Sequence, residues 1–374
     1  MFSEHEILEL LAKLVRLESP SRDKPALDTL AAFLADRFTQ LMGSVEIISN
    51  PIGGDHVLGR FSHDSHLRPA LVLGHFDTVW PLGTLERMPF RVGDGRAYGP
   101  GIFDMKASLA ILLTVLDQLR KNANLVRRPI WVLFTSDEEI GSPTSRDLIE
   151  KLAVACAYVL VLEPALANGG LKTARKGVGR FRLEVEGRAA HAGVAPQDGR
   201  SAIVELAHQI LRLQKLQDLT AGTTINIGVI QGGTTSNVVP AKASADLDVR
   251  VASMAEESRI VAAFQSLVPE IDGTRLILTG SFNRPPMERT PAVAALFEQA
   301  RAIGLATLGL SLPEGSTGGA SDGNFTAALG LPTLDGLGAC GGGAHADDEH
   351  VLVTSLPQRA LLLFHLLQSL NPEA

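Results

Sequence analysis

The run Ile130-Trp131-Val132-Leu133-Phe134 carries no polar side chain on either alternate side, so as a strand it must be covered on both faces. Four residues after Phe134 come Glu138 and Glu139, adjacent carboxylates where the strand would leave its sheet. Neighbouring carboxylates there are costly unless something positive neutralises them. A buried sheet with a charged site at its edge is therefore the first expectation.

The flanking pattern agrees. Glu4 to Leu17 has apolar residues at helical spacing (Ile7, Leu8, Leu11, Leu14, Val15), and a second such helix runs from about Pro25 to Leu41. Leu71-Val72-Leu73 reads as a short buried strand, Met105 to Leu119 as a helix, and Ile130 to Thr135 and Tyr158 to Leu162 as strands with Arg146 to Leu152 helical between them. Strands alternating with helices predict an α/β domain, a parallel or mixed sheet with helices on both faces. Near Gly177 the pattern changes. Arg180 to Glu186 alternates apolar and polar, followed by a helix from about Arg200 to Leu216 and strands near Ile225–Val229 and Ala243–Val251. A helix over Ala255–Leu267 and a strand over Arg275–Thr279 complete a β-α-β-β-α-β order of ferredoxin-like α+β type. Arg284-Pro285-Pro286 reads as its exit hinge, after which helices over Pro291–Ile303 and Ser355–Leu370 resume the first pattern. The expected organisation is a first domain made of 1–176 and 285–374, interrupted by an inserted domain at 177–284.

Bulk properties narrow the function. A chain of 374 residues exceeds one ordinary core, and 45% hydrophobic with 20% charged residues describes a folded protein. The formal charge, 34 − 41 = −7, and the lack of a basic tract argue against nucleic-acid partners. No apolar stretch approaches the length of about 20 residues that crosses a bilayer, and Met1 to Glu6 lack a signal-like n-region, so the expected compartment is the cytoplasm with no membrane partner. A removed export signal would leave no trace in this sequence. Cys156 and Cys340 are the only cysteines, and no structural disulfide is expected.

Five breaks between elements offer metal-ligand chemistry. His75 and Asp77 stand two apart and share one side of a strand, the carboxylate placed to fix a ligating imidazole's tautomer; a strand-end turn is the alternative. Asp104 reads as a ligand or as a helix N-cap. Glu138 and Glu139 read as a site or a solvated loop, and Glu163 before Pro164 and His345 among glycines are unremarkable alone. Four of the five fall just beyond strand ends, where open α/β sheets bind ligands, and their conjunction points to a metal-centred hydrolase. A non-catalytic binding protein would lack a base or a ligand, and none is missing. The glycine-rich stretches lack a G-x-G-x-x-G or Walker pattern for nucleotide binding.

Gly74-His75-Phe76-Asp77-Thr78-Val79, Gly99-Pro100-Gly101 with Asp104-Met105-Lys106, Asp137-Glu138-Glu139 with Gly141-Ser142, and the late segment around His345 resemble the M20 metallopeptidases over nearly the whole chain. Lys172-Thr173-Ala174-Arg175-Lys176-Gly177 and Ala190-His191-Ala192-Gly193 are similar to the glutamate carboxypeptidase branch, of the carboxypeptidase G2 kind. The resemblance implies two zinc ions per subunit bridged by Asp104, one completed by His75 and Glu163 and the other by Glu139 and His345, with cobalt or manganese as substitutes. It implies Glu138 as general base and Asp77 as the partner of His75. It further implies a homodimer through the inserted domain, with His191 reaching the other subunit's active site to stabilise an oxyanion. Asn237, Arg250 and Arg284 would recognise the substrate carboxylate, and Gly319 would lie in the substrate-binding loop; for the two arginines a surface ion pair is the alternative.

The implied reaction is hydrolysis of the amide of a peptidyl or N-acyl amino acid with a free α-carboxylate, as in a glutamate carboxypeptidase. The alternative is an N-acyl amino-acid deacylase of the acetylornithine deacetylase or succinyl-diaminopimelate desuccinylase type. Lys172 would meet an acidic substrate side chain or be a solvated loop lysine. The sequence departs from the family at Ala107-Ser108, where two glycines are common, at the bulky Phe103, and at Ala320, where threonine is common. Gly318-Gly319 and the glycines of 336–343 are expected to let backbone approach substrate closely.

Overall fold

Ala70 and Val72 enter one apolar core and Leu71 and Leu73 another, because the strand Ala70–His75 lies inside a sheet covered on both sides. The strand Tyr158–Val161 divides in the same way, with Tyr158 and Leu160 on one side and Val159 and Val161 on the other. These features come from a computed structural model of the chain, which describes residues 2–41, 43–61, 65–122 and 126–371. The described residues gather into two compact units. The first comprises those of 1–174, 289–317 and 321–374, the second 175–288 with 318–320.

The first unit holds a six-stranded sheet in the order Ser44–Ile48, His56–Phe61, Ile130–Thr135, Ala70–His75, Tyr158–Val161, Thr333–Leu334. From Ile130–Thr135 onward the strands run parallel; the first two form an antiparallel edge. The sheet is therefore mixed. The helices Glu4–Arg16, Lys24–Gln40, Ala107–Lys121, Pro291–Leu308 and Ser355–Ser369 build the larger core on one face. Arg146–Ala153 and Gly323–Ala328 contribute Ile149, Leu152 and Phe325 to the thinner core on the other. The Asp23 carboxylate caps Lys24–Gln40 by accepting the Ala26 amide at 3.0 Å.

Register places the site. His75 pairs with Thr135 at the carboxyl ends of two parallel neighbours, so the residues following each strand leave the sheet at one edge. The helix expected from Met105 is regular only from Ala107. Residues Ile102–Lys106 form an irregular turn in which Asp104 has φ −114° and ψ 92° and the Asp104–Met105 peptide is cis. No side chain caps the following helix, which removes the N-cap alternative for Asp104. A small antiparallel sheet, in the order Gly341–Gly342, His350–Leu352, Arg96–Tyr98, Arg91–Gly93, ties the loop before Asp104 to the loop that carries His345. Among the described residues no helix is long and apolar enough to cross a membrane.

The second unit is a four-stranded antiparallel sheet in the order Thr224–Gly232, Lys242–Val251, Gly177–Glu186, Arg275–Arg284. The helices Ala202–Gln214 and Met254–Gln265 pack on one face, over Leu183, Val185, Ala245, Leu247 and Val249. The last strand runs beyond the expected Thr279 to Arg284, which pairs with Val178 after a register shift. Arg284 thus belongs to the sheet and not to a hinge. Glu205 is fully buried on the first helix, its carboxylate accepting the Glu270 amide at 3.0 Å, the Ile271 amide at 2.7 Å and the Gln209 side chain at 2.7 Å.

Candidate metal centre

His75 ends its strand with the side chain only 2% exposed. Its Nε2 lies 3.1 Å from Asp104 Oδ1 and 3.5 Å from Glu163 Oε1. The other oxygen of Asp104 lies 3.5 Å from His345 Nε2, which stands 3.3 Å from Glu139 Oε2. Asp104 therefore offers one oxygen to each of two imidazoles. Ligand atoms of His75, Asp104 and Glu139 all fall within 4.8 Å of one another. His345 is half-exposed and adopts φ 62°, in the left-handed region that few residues other than glycine take.

Asp77 is fully buried and explains where the two glutamates sit. Its carboxylate accepts the Glu138 amide at 3.1 Å and the Glu139 amide at 3.2 Å. The spacing of His75 and Asp77 predicts this carboxylate as the partner of His75. In the structure His75 Nδ1 lies nearer the Asp77 carbonyl, at 3.0 Å, than its carboxylate, at 3.4 Å. Asp77 orients the histidine mainly through its backbone and the glutamates through its side chain. Two further buried carboxylates, which sequence reasoning missed, brace the same turn. Asp137 accepts from Thr144 and Ser145, both hydroxyls at 2.6 Å, and Asp322 accepts the hydroxyls of Ser142 at 2.5 Å and Thr135 at 3.1 Å. The hydroxyl-rich Ser142-Pro143-Thr144-Ser145 segment was the only local signal for Asp137.

Burial disfavours a charge on His75, but Asp104, Asp77 and Glu163 outweigh it and hold its pKa well above the ordinary histidine range. Bonds to Asp104 and then Glu139 push the His345 imidazole up to about 10. Burial likewise works to raise Asp104, yet His345 and His75 hold it well below the usual carboxylate range. Burial pushes Glu139 up to about 7 against the opposing pull of His345. Protons here compensate charge that a cation would compensate. Glu139 Oε1 is buried with no hydrogen-bond partner among the described residues. An orphaned buried acceptor beside a mixed imidazole and carboxylate set fits a divalent ion of the zinc type.

The remaining expected site residues lie in the second unit. His191 is exposed, and its Nδ1 accepts the amides of Gly193 and Val194, each at 3.2 Å. The neutral ring therefore carries its proton on Nε2 as a donor. The Asn237 carbonyl accepts the Ala192 amide at 2.9 Å, and Val238 bridges His191, so the two loops are one paired structure. Arg250 binds Asp248 through Nε at 2.7 Å and Nη2 at 3.0 Å, the ion pair that was its alternative reading. Arg284 is buried, and the Gly319 carbonyl accepts Arg175 Nη1 at 3.0 Å.

A side chain at Gly318 or Gly319 would meet nothing, whereas one at Gly338 would collide with the Ser108 hydroxyl and the Leu162 carbonyl, and one at Gly341 with the His350 carbonyl. Packing within the protein, not approach to substrate, accounts for these last two glycines. Ser108, where the family favours glycine, accepts the Ala339 amide at 3.3 Å. Lys172 is buried, which removes its solvated-loop alternative.

Residues 71–369 match the model of the family described as Peptidase family M20/M25/M40. The chain is 32% identical over 98% of its length to carboxypeptidase G2 of Pseudomonas sp. (strain RS-16), covering 89% of that protein. It is 30% identical to the succinyl-diaminopimelate desuccinylase of Verminephrobacter eiseniae (strain EF01-2), over 84% of this chain and 82% of that one. Among solved structures, aminopeptidase PepT from Bacillus cereus ATCC 10987 shares the fold with a TM-score of 0.82 at 21% identity, covering 98% of each chain.

Proposed function

This chain belongs to the M20 family of metallopeptidases, and we propose that it holds two zinc ions and hydrolyses the amide of a peptidyl or N-acyl amino acid with a free α-carboxylate, preferring C-terminal glutamate. The observation that carries the proposal is the Asp104 carboxylate between two imidazoles, beside the orphaned oxygen of Glu139. Asp104 would bridge the ions, His75 and Glu163 holding one and Glu139 and His345 the other, and cobalt or manganese would substitute. Bound there, the ions would lower the pKa of a water and polarise the scissile carbonyl.

Glu138 then takes the proton of the attacking water as its oxygen adds to the carbonyl carbon. It returns that proton to the nitrogen as the C–N bond breaks, and the acid so formed gives its own proton to the released amine, leaving a carboxylate and an ammonium group. Asp77 keeps the Glu138 backbone in place for both transfers. The second unit serves as a dimerisation domain, and the Nε2–H of His191 donates to the oxyanion in the partner subunit's site. Asn237, Arg250 and Arg284 receive the α-carboxylate, a planar anion that an arginine fork matches, Arg250 exchanging Asp248 for it, and Gly319 lets the backbone approach the substrate. Free thiols at Cys156 and Cys340 support a reducing, cytoplasmic compartment.

The glutamate preference is supported by the likeness to carboxypeptidase G2. The desuccinylase likeness favours a second reading, an N-acyl amino-acid deacylase, which needs the same residues and differs in its acyl pocket. A screen of the zinc-loaded protein against N-acyl- and dipeptidyl-glutamates, -ornithines and neutral amino acids separates them. Glutamate conjugates should be cleaved fastest. Preference for a basic or neutral C-terminal residue would reject the glutamate assignment, and activity that persists in chelator would reject the metal.

A further inference from the structure

Glu349 lies four residues beyond His345 and is completely buried, and no sequence reasoning gave it a role. Its Oε1 accepts the amides of Phe103 at 2.9 Å and Asp104 at 3.1 Å. Its Oε2 accepts the Gly101 amide at 2.9 Å and the Trp80 indole at 2.7 Å. Four N–H donors from two distant segments of chain thus converge on one carboxylate. A carboxylate taken fully from water is tolerated only with such a donor set, so its position is tightly specified.

Three of the four donors, the amides of Gly101, Phe103 and Asp104, belong to one irregular turn, which the Lys106 amide also closes on the Gly101 carbonyl at 2.9 Å. Gly101 sits at φ 66°, Asp104 is non-helical, and the regular helix begins only at Ala107. Immediately after Glu349, His350 pairs with Tyr98 across the small sheet, while Gly342, close before His345, pairs with His350. The segment that presents His345 and the turn that presents Asp104 therefore share one anchor.

We infer that Glu349 is the positioning residue of the metal centre, fixing the Gly101–Asp104 turn so that Asp104 gives one oxygen to each imidazole. The inference rests on the reading of these residues as metal ligands. It assigns to Glu349 no contact with the ion, only control of the backbone that delivers the shared carboxylate.

The test is Glu349→Gln in the full chain. An amide of the same shape turns an –NH2 group towards at least one pair of N–H donors. Zinc and cobalt(II) affinities by calorimetric titration, the visible spectrum of the cobalt form, and the urea midpoint of the metal-free chain are compared with the parent. Metal affinity should fall about 10- to 100-fold, the range for loss of an outer partner of a ligand, with an altered cobalt spectrum. A merely structural role would lower the urea midpoint and leave affinity and spectrum as in the parent; affinities within twofold and an unchanged spectrum overturn the inference. If Glu349→Gln does not fold, Trp80→Phe removes one donor while keeping an aromatic ring at that position. It should weaken metal binding by about threefold or more, and no change overturns the inference. A parent chain that binds neither zinc nor cobalt would instead sink the metal reading itself, and the inference with it.

Discussion

The Asp77 carboxylate accepts the backbone amide of Glu138 at 3.1 Å while standing 3.4 Å from the imidazole of His75. One buried anion thereby couples the placement of the candidate base to that of a candidate ligand. Asp77→Asn keeps the shape but turns an –NH2 towards one of the two amides it now accepts. The variant should bind zinc about 10- to 100-fold more weakly and lose turnover as well. Calorimetric titration with zinc, alongside initial rates, checks both; parent-like values in both would reject the coupling.

Glu138→Gln separates proton transfer from metal holding. The amide cannot take the proton of water, so kcat should fall by about 10²- to 10⁴-fold with metal content unchanged. Elemental analysis of the purified variant against its steady-state rates is the measurement. Lost metal would make Glu138 a ligand instead of a base.

Removing the metal should destabilise the first unit. Without a cation, Asp104, Glu139 and Glu163 crowd their charge around the imidazoles of His75 and His345. Free zinc at a hundredfold over its Kd would stabilise the native chain by about 2.7 kcal/mol. Scanning calorimetry with chelator and with added zinc should show the midpoint fall and recover together with activity.

Glu205 predicts an acid-dependent stability in the second unit. Burial works to raise its pKa, but bonds from Gln209, the Glu270 and Ile271 amides and Thr274 hold it below the ordinary value. A group with a lowered folded pKa stabilises above its unfolded value, about 4.3, and loses that contribution as pH falls through the folded value. Glu205→Ala should cost about 2–3 kcal/mol at pH 7 by stranding buried amides, and the difference should shrink below pH 4. Urea titrations of both proteins across pH 3–7 check the sign: a gap that widened on acidification would contradict it.

The two thiols should differ in reactivity. Cys156 is fully buried, and burial pushes its pKa up to about 12, whereas Cys340 is partly exposed. A thiol reagent at pH 8 should modify one cysteine in the native chain and both in urea, with mass spectrometry locating the first at Cys340.

Much of the fold could be read from local pattern because burial imprints it. The strand expected over Ile130–Thr135 has those bounds, and the helices of 4–17 and 25–41 shift by one residue or so at either end. The strand Ser44–Ile48 escaped notice because it is an edge strand with most of its side chains exposed, leaving no alternation to see. The helix expected from Met105 began too early because apolar spacing does not register the irregular turn that presents Asp104.

The sequence by itself determined the chemistry: which imidazoles and carboxylates exist, that each follows a strand or opens a turn, and that one family pattern joins them. Only tertiary structure decided how they are shared. Asp77 serves the glutamates more than His75, Arg250 is already paired with Asp248, and Glu349 gathers donors from as far away as Trp80. The physical reason is range. Helix and strand periodicity is written within a few residues, whereas a buried carboxylate takes its partners from whatever N–H groups the packed chain brings near, at separations of up to 269 residues.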